Sequence, residues 1–156
     1  MVRTEFVAAI KQVGTLGALE TVETVRKVRG LLARQVAQSV AAVPAPAGVK
    51  IESRMVPSRH TPGHSVPVRT YTAVSSTVRT PMPCCIYIHG GGFMFGTMDD
   101  VHFQCTRFAS DLQCTVINVD YRLAPEFPFP VPLEDCYDAG IIAGGGEIKI
   151  KNKNKK

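Results

Sequence analysis

The chain has 156 residues, 45% hydrophobic and 20% charged, an ordinary globular composition for one domain able to bury roughly two thirds of its unfolded surface. Its formal net charge is +5, but the last ten residues, EIKIKNKNKK, hold five lysines against one glutamate and carry four of those charges. A body so close to neutral argues against a nucleic-acid partner.

The N-terminus, MVRTEFVAAIKQV, has an early glutamate and a Lys and Gln interrupting its apolar run. It reads as neither a signal peptide nor a membrane span, and a cytoplasmic location is expected. Over residues 5–42 apolar positions recur at helical spacing, from Phe6, Val7, Ile10 and Val13 to Leu19, Val22, Val25, Val28, Leu31 and Leu32. Gly14 and Gly17 divide them into two amphipathic helices. VPAPAG (43–48) is a linker, because its prolines cannot continue a helix. VKIESRMV and VPVRTYTAV then alternate like half-buried strands, joined by SRHTPGHS as a turn. PMP (81–83) marks the next boundary, and CCIYI is short, apolar and continuous, the pattern of a strand buried on both faces.

The five cysteines (84, 85, 105, 114 and 136) show no metal-binding spacing. Cys84 and Cys85 abut, which disfavours pairing them on a strand, and all five are expected to be buried free thiols in a reducing compartment. After the glycines of HGGGFMFG (89–96), Asp99 or Asp100 is placed to cap a helix running through Phe103, Phe108 and Leu112. TVINVD makes another buried strand, YRLAPEFPFPVPLE a proline-rich loop, and a helix starts over Leu133–Ala139. This alternation predicts an α/β fold, a mostly parallel sheet flanked by helices. The division expected is helices over 1–42, a linker at 43–49, the α/β unit over 50–140 and a basic low-complexity tail at 141–156.

A strand that ends in HGGG and leads into a helix puts a bare backbone at the carboxyl end of a strand, where open α/β folds bind ligands. Glycines there permit positive φ and let amide N–H groups converge on one oxygen, as in the stabilisation of the oxyanion of a tetrahedral ester adduct. Phosphate-loop patterns, GxxxxGK[ST] or GxGxxG, do not occur around residues 90–96. A purely structural glycine turn is the alternative. His89 would need metal-binding partners and only His102 lies downstream, so no metal is expected; its side chain instead holds its own loop in shape.

HGGGF, followed about 30 residues on by VDYRLAPEFPFP and by LEDCYDA, resembles the hormone-sensitive-lipase-like branch of the α/β-hydrolases over roughly residues 50–140. The resemblance implies the N-terminal part of that fold, with residues 5–42 as cap helices over an acyl pocket. It implies Gly91 and Gly92 as oxyanion donors, His89 and Gly90 as shapers of the loop, and Tyr121–Pro125 as scaffold. The expected activity is hydrolysis of a small-molecule carboxylic ester, with no cofactor and no metal.

The family's nucleophile is a serine in a GxSxG elbow, followed by an acid and a histidine. The nearest string here is GHSVP (63–67), in which Pro67 replaces the glycine and the position is a turn between strands, so Ser65 is not expected to attack. The chain departs from the family near Gly140, where IIAGGGEIKIKNKNKK cannot bury a surface. The tail reads as a translated intron, shifted frame or A-rich transcript end, with a genuine basic tail as the alternative. On this reading the chain alone lacks turnover. The alternatives are a non-catalytic, receptor-like member of the fold or an unstable truncated product. CCIYI, central in the family's sheet, would then become an open edge, and self-association through it is expected.

Overall fold

A computed structural model describes residues 21–41, 47–74 and 82–143. Helix α1 spans Val22–Ala41, strands β1 and β2 span Val49–Pro57 and Ser65–Ala73, and β3 spans Cys84–Ile88. A 3₁₀ turn at Met98–Val101 leads into α2 (His102–Leu112), followed by β4 (Thr115–Val119) and α3 (Val131–Ala143). The four strands form one sheet in the order β1-β2-β4-β3. β1 with β2 and β2 with β4 are antiparallel, and only β3 with β4 is parallel. Where the alternation of elements suggests a mostly parallel sheet, the described sheet is mixed, because the two N-terminal strands form a hairpin through residues 58–64.

Period-two alternation sorts the side chains onto two layers. Val56, Val66, Val68, Ile117 and Val119 face α3, packing with Cys136 and Ala139. Tyr71 and Val116 face the other way, onto Val101, Cys105 and Ala109 of the 3₁₀ turn and α2. β4 is buried from Val116 to Val119, as expected of TVINVD. β3 is not buried on both faces: Cys84, Cys85 and Ile88 are exposed, and β3 is an edge of the described sheet. Accordingly only Cys105, Cys114 and Cys136 are buried thiols, while Cys84 and Cys85 are free and exposed.

α2 runs through Phe103, Phe108 and Leu112 as expected; the three are exposed, and the face of α2 that meets the sheet carries Cys105, Thr106 and Ala109. Small side chains there let the helix lie close to the strands. The acidic residue at the start of this segment serves Thr97, the residue before the 3₁₀ turn: Asp100 accepts bonds from the Thr97 N–H at 2.6 Å and its hydroxyl at 2.9 Å. β1 starts at Val49, the last residue assigned to the linker. α1 realises the second of the two N-terminal helices; the first, most of the linker and the tail from residue 144 on lie outside the described residues, while residues 141–143, assigned to the tail, continue the last helix. α3 starts two residues before Leu133 and runs through Gly140 to Ala143, with a Cβ at Gly140 standing 3.3 Å from Ile86 Cδ1.

Candidate active site

β3 ends at Ile88, and the chain then turns sharply through residues 90–96. The Gly91 carbonyl accepts the N–H groups of both Met94, at 3.1 Å, and Phe95, at 3.0 Å. Such a turn needs left-handed backbone: φ is +128° at Gly91, +61° at Gly92 and +97° at Gly96. Phe93 follows at φ +59°, an uncommon conformation for a bulky residue. Gly90–Phe93 is exposed. Among the described residues the N–H groups of Gly91 and Gly92 donate to no backbone carbonyl. They are neither consumed by the sheet nor by the turn.

His89 lies directly beneath, 3% exposed. Its Nδ1 is 2.9 Å from the Gly90 carbonyl, so this nitrogen carries the proton and donates. A Cβ on Gly96 would come within 2.4 Å of the same atom, so Gly96 is the glycine that leaves room for the imidazole. Tyr121 stacks on His89 with ring centroids 4.3 Å apart and donates its buried hydroxyl to the His89 carbonyl at 2.7 Å. Burial pushes the Tyr121 phenol up to about 12, so it remains a donor across the neutral range. Ala124 donates its N–H to the Phe93 carbonyl at 2.8 Å. The segment Tyr121–Ala124 thus props the glycine loop from below. Beside it burial pushes the Asp120 carboxyl up, against the pull of His89 and an N–H from Met98.

The loop rims a cavity of about 1300 Å³. Arg29, Leu32 and Val36 of α1 form one wall, Gly90, Gly91 and Phe95 another, and Tyr121, Leu123 and Phe127 a third. α1 is held there by Val25 and Val28 packing on Phe95, with Leu32 and Met94 alongside. Arg26 donates to Glu126 at 2.9 Å, and Arg29 reaches both Glu126 oxygens, at 2.9 and 2.8 Å. Burial works to raise the Glu126 carboxyl, but bonds from Arg26 and Arg29 overcome it and hold the group at about 2. Because the folded value lies below the ordinary 4.5, this linkage adds stability that is complete above the unfolded value and lost as pH falls through the folded one. In an acid titration of the thermal midpoint, native protein should lose stability over that window more than Glu126→Gln does. Parallel curves would refute the linkage.

Of the residues singled out in the sequence, His89, Gly90 and Gly91 line the cavity, and Gly92 follows them in the same turn. His102 lines the same cavity, but its Nδ1 is bonded to the Tyr71 hydroxyl at 2.9 Å, and burial pushes it down. Among the described residues no group of three His, Cys, Asp or Glu could hold a metal ion. Ser65 opens β2 opposite Pro57, at the end of a hairpin where no strand-to-helix elbow exists. Sequence reasoning missed Arg29, Glu126 and Gly96; only the spacing of Gly96 from Gly92 carried a signal.

The sequence signature of the alpha/beta hydrolase fold matches residues 85–144, extending past Gly140. The chain is 47% identical over 100 residues to versiconal hemiacetal acetate esterase of Dothistroma septosporum, a match covering 50% of this chain and 30% of that protein. It is 36% identical over 89 residues to an AB hydrolase superfamily protein of Schizosaccharomyces pombe, covering 56% and 26%. Among solved structures it resembles a bacterial heroin esterase with a TM-score of 0.67 at 29% identity, over 88% of this chain and 41% of that one. The matches thus span under a third of these curated relatives. No helix among the described residues is long and apolar enough to cross a membrane.

Proposed function

For a chain that belongs to the α/β-hydrolase fold family, in its hormone-sensitive-lipase-like branch, we propose that residues 89–96 are the oxyanion hole of a carboxylic-ester hydrolase. The observation that carries this reading is the pair of backbone N–H groups without backbone partners among the described residues, at Gly91 and Gly92, in a turn beyond the end of β3 whose Gly90 and Gly91 line a mainly apolar cavity. When a hydroxyl adds to an ester carbonyl, the C=O pair moves onto oxygen. Donors fixed in advance stabilise that charge without having to reorganise. The apolar walls from α1 and Leu123–Phe127 suit the hydrocarbon part of a small ester. The sequence contains no GxSxG, so this segment supplies the charge-stabilising half of the reaction and the attacking hydroxyl comes from elsewhere in the active assembly. No cofactor is needed for acyl transfer of this kind.

The test is a segment exchange. The matched stretch of the Dothistroma esterase is replaced by its counterpart from this chain, and hydrolysis of p-nitrophenyl acetate is measured. A folded hybrid that keeps hydrolysis supports the assignment; a folded hybrid without hydrolysis overturns it. The chain by itself should give no turnover and no labelling by a fluorophosphonate, and labelling would disprove the division into halves.

The open edge of β3 supports a second proposal, self-association of this polypeptide. Exposed Ile88 lies on the edge strand, and Leu133 and Tyr137 on α3, which packs against β3, are exposed as well. Apolar edges without a charge invite pairing with another chain. Sedimentation should show oligomers that Ile88→Lys dissociates, and a native monomer would end the proposal.

A further inference from the structure

We infer that Arg29 is a positioning residue for the glycine loop, so that docking of α1 sets the geometry of residues 91–94. The inference rests on the oxyanion-hole reading for its functional meaning, but its structural content stands separately. Arg29 is one-fifth exposed and spends its guanidinium on three partners. Nε donates to the Met94 carbonyl at 2.6 Å. Nη1 donates to both Glu126 oxygens, and Nη2 donates to the Ala124 carbonyl.

These bonds close a circuit. Arg29 holds the carbonyl of Met94, while the Met94 N–H is spent on the carbonyl of Gly91. Next along the chain, the Phe93 carbonyl accepts the Ala124 N–H, and the Ala124 carbonyl returns to Arg29. A single planar fork therefore ties the cap helix, the glycine loop and the proline-rich loop into one ring of hydrogen bonds. Lysine, with one nitrogen, cannot reach three acceptors in fixed directions at once. Phe93 needs such fixing, because a bulky side chain at φ +59° relaxes unless its surroundings hold it. Arg26 is the built-in control: it is two-thirds exposed and, among the described residues, bonds Glu126 alone.

The experiment is amide hydrogen exchange on the full chain, read by mass spectrometry over peptides covering residues 90–96. Arg29→Ala should speed exchange there by about tenfold or more, the scale of losing one charge-assisted hydrogen bond, with β2 and β4 unchanged. Arg29→Lys should fall between, Arg26→Ala should leave the loop as it is, and ethylguanidinium added to Arg29→Ala should restore protection. Unchanged loop exchange in Arg29→Ala overturns the inference. So does an equal rise in Arg26→Ala, or a rise spread evenly over the sheet without rescue. None of these readouts depends on hydrolysis, so an inactive hybrid esterase would remove the oxyanion reading and leave the positioning result standing.

Discussion

Gly91→Ala should remove nearly all ester hydrolysis from the hybrid esterase, whereas Gly92→Ala should leave most of it. The two glycines are adjacent and identical in composition, yet their surroundings differ sharply. A Cβ on Gly91 would stand 2.1 Å from the Phe95 carbonyl oxygen and 2.6 Å from its carbon, and both are backbone atoms. No rotamer change can relieve that overlap. The turn must open, and the bonds from Met94 and Phe95 to the Gly91 carbonyl are the ones that hold it shut. Losing one oxyanion donor typically costs about 10²–10³ in rate, and opening the turn displaces both amides together. At Gly92 a Cβ meets nothing within 4 Å. Only the left-handed backbone resists it, at a cost of about 1–2 kcal/mol, and Phe93 already adopts that conformation next door. Gly90→Ala meets neither obstacle and serves as the silent control. Measured kcat/KM values should therefore rank Gly90→Ala and Gly92→Ala far above Gly91→Ala. Equal losses at 91 and 92 would mean that the loop tolerates no side chain for some reason other than this close approach.

The contrast between neighbouring glycines shows what the sequence could and could not say. That a bare backbone follows the strand is plain from HGGG; which glycine is sterically obligatory depends on Phe95, which folds back onto Gly91. Alternation along β1 and β2 was legible because each face of the hairpin meets a different layer. CCIYI misled because an apolar run reports what a strand could bury, while its coverage depends on neighbours. The helix through Phe103, Phe108 and Leu112 was legible, but not the face of it that meets the sheet: Cys105, Thr106 and Ala109 are the small residues that permit close approach, and the three large ones are exposed. Arg29 carried no signal, since a charge on an amphipathic helix reads as solvated until its partners are known, and Glu126 lies 97 residues away. Long-range polar pairings are set by tertiary structure, not by local pattern.

Asp135→Ala should be the most destabilising single change among the charged residues described. LEDCYDA places this carboxylate on α3, where its side chain is fully buried. It accepts Arg122 Nε at 2.9 Å, Arg122 Nη2 at 2.8 Å and the Arg122 backbone N–H at 3.0 Å. The same guanidinium donates to Thr61 Oγ1 at 3.0 Å and lies over the Phe127 ring, 5.2 Å from its centroid. One ion pair therefore joins α3, the β1–β2 turn and the segment carrying Tyr121. Removing the carboxylate leaves a largely buried cation and a backbone N–H without their acceptor, a loss of about 3–5 kcal/mol. Asp135→Asn keeps the volume but turns an amide toward a donor, so it should recover little. The exposed pair Arg107–Asp111, at 3.4 Å on α2, sets the opposite limit. Asp111→Ala should cost no more than about 1 kcal/mol. Urea denaturation of the three variants beside the native chain decides the matter. If Asp135→Ala unfolds at the same midpoint as Asp111→Ala, the pair adds nothing net to stability. The glycine loop must then owe its support to Tyr121 and Arg29 alone.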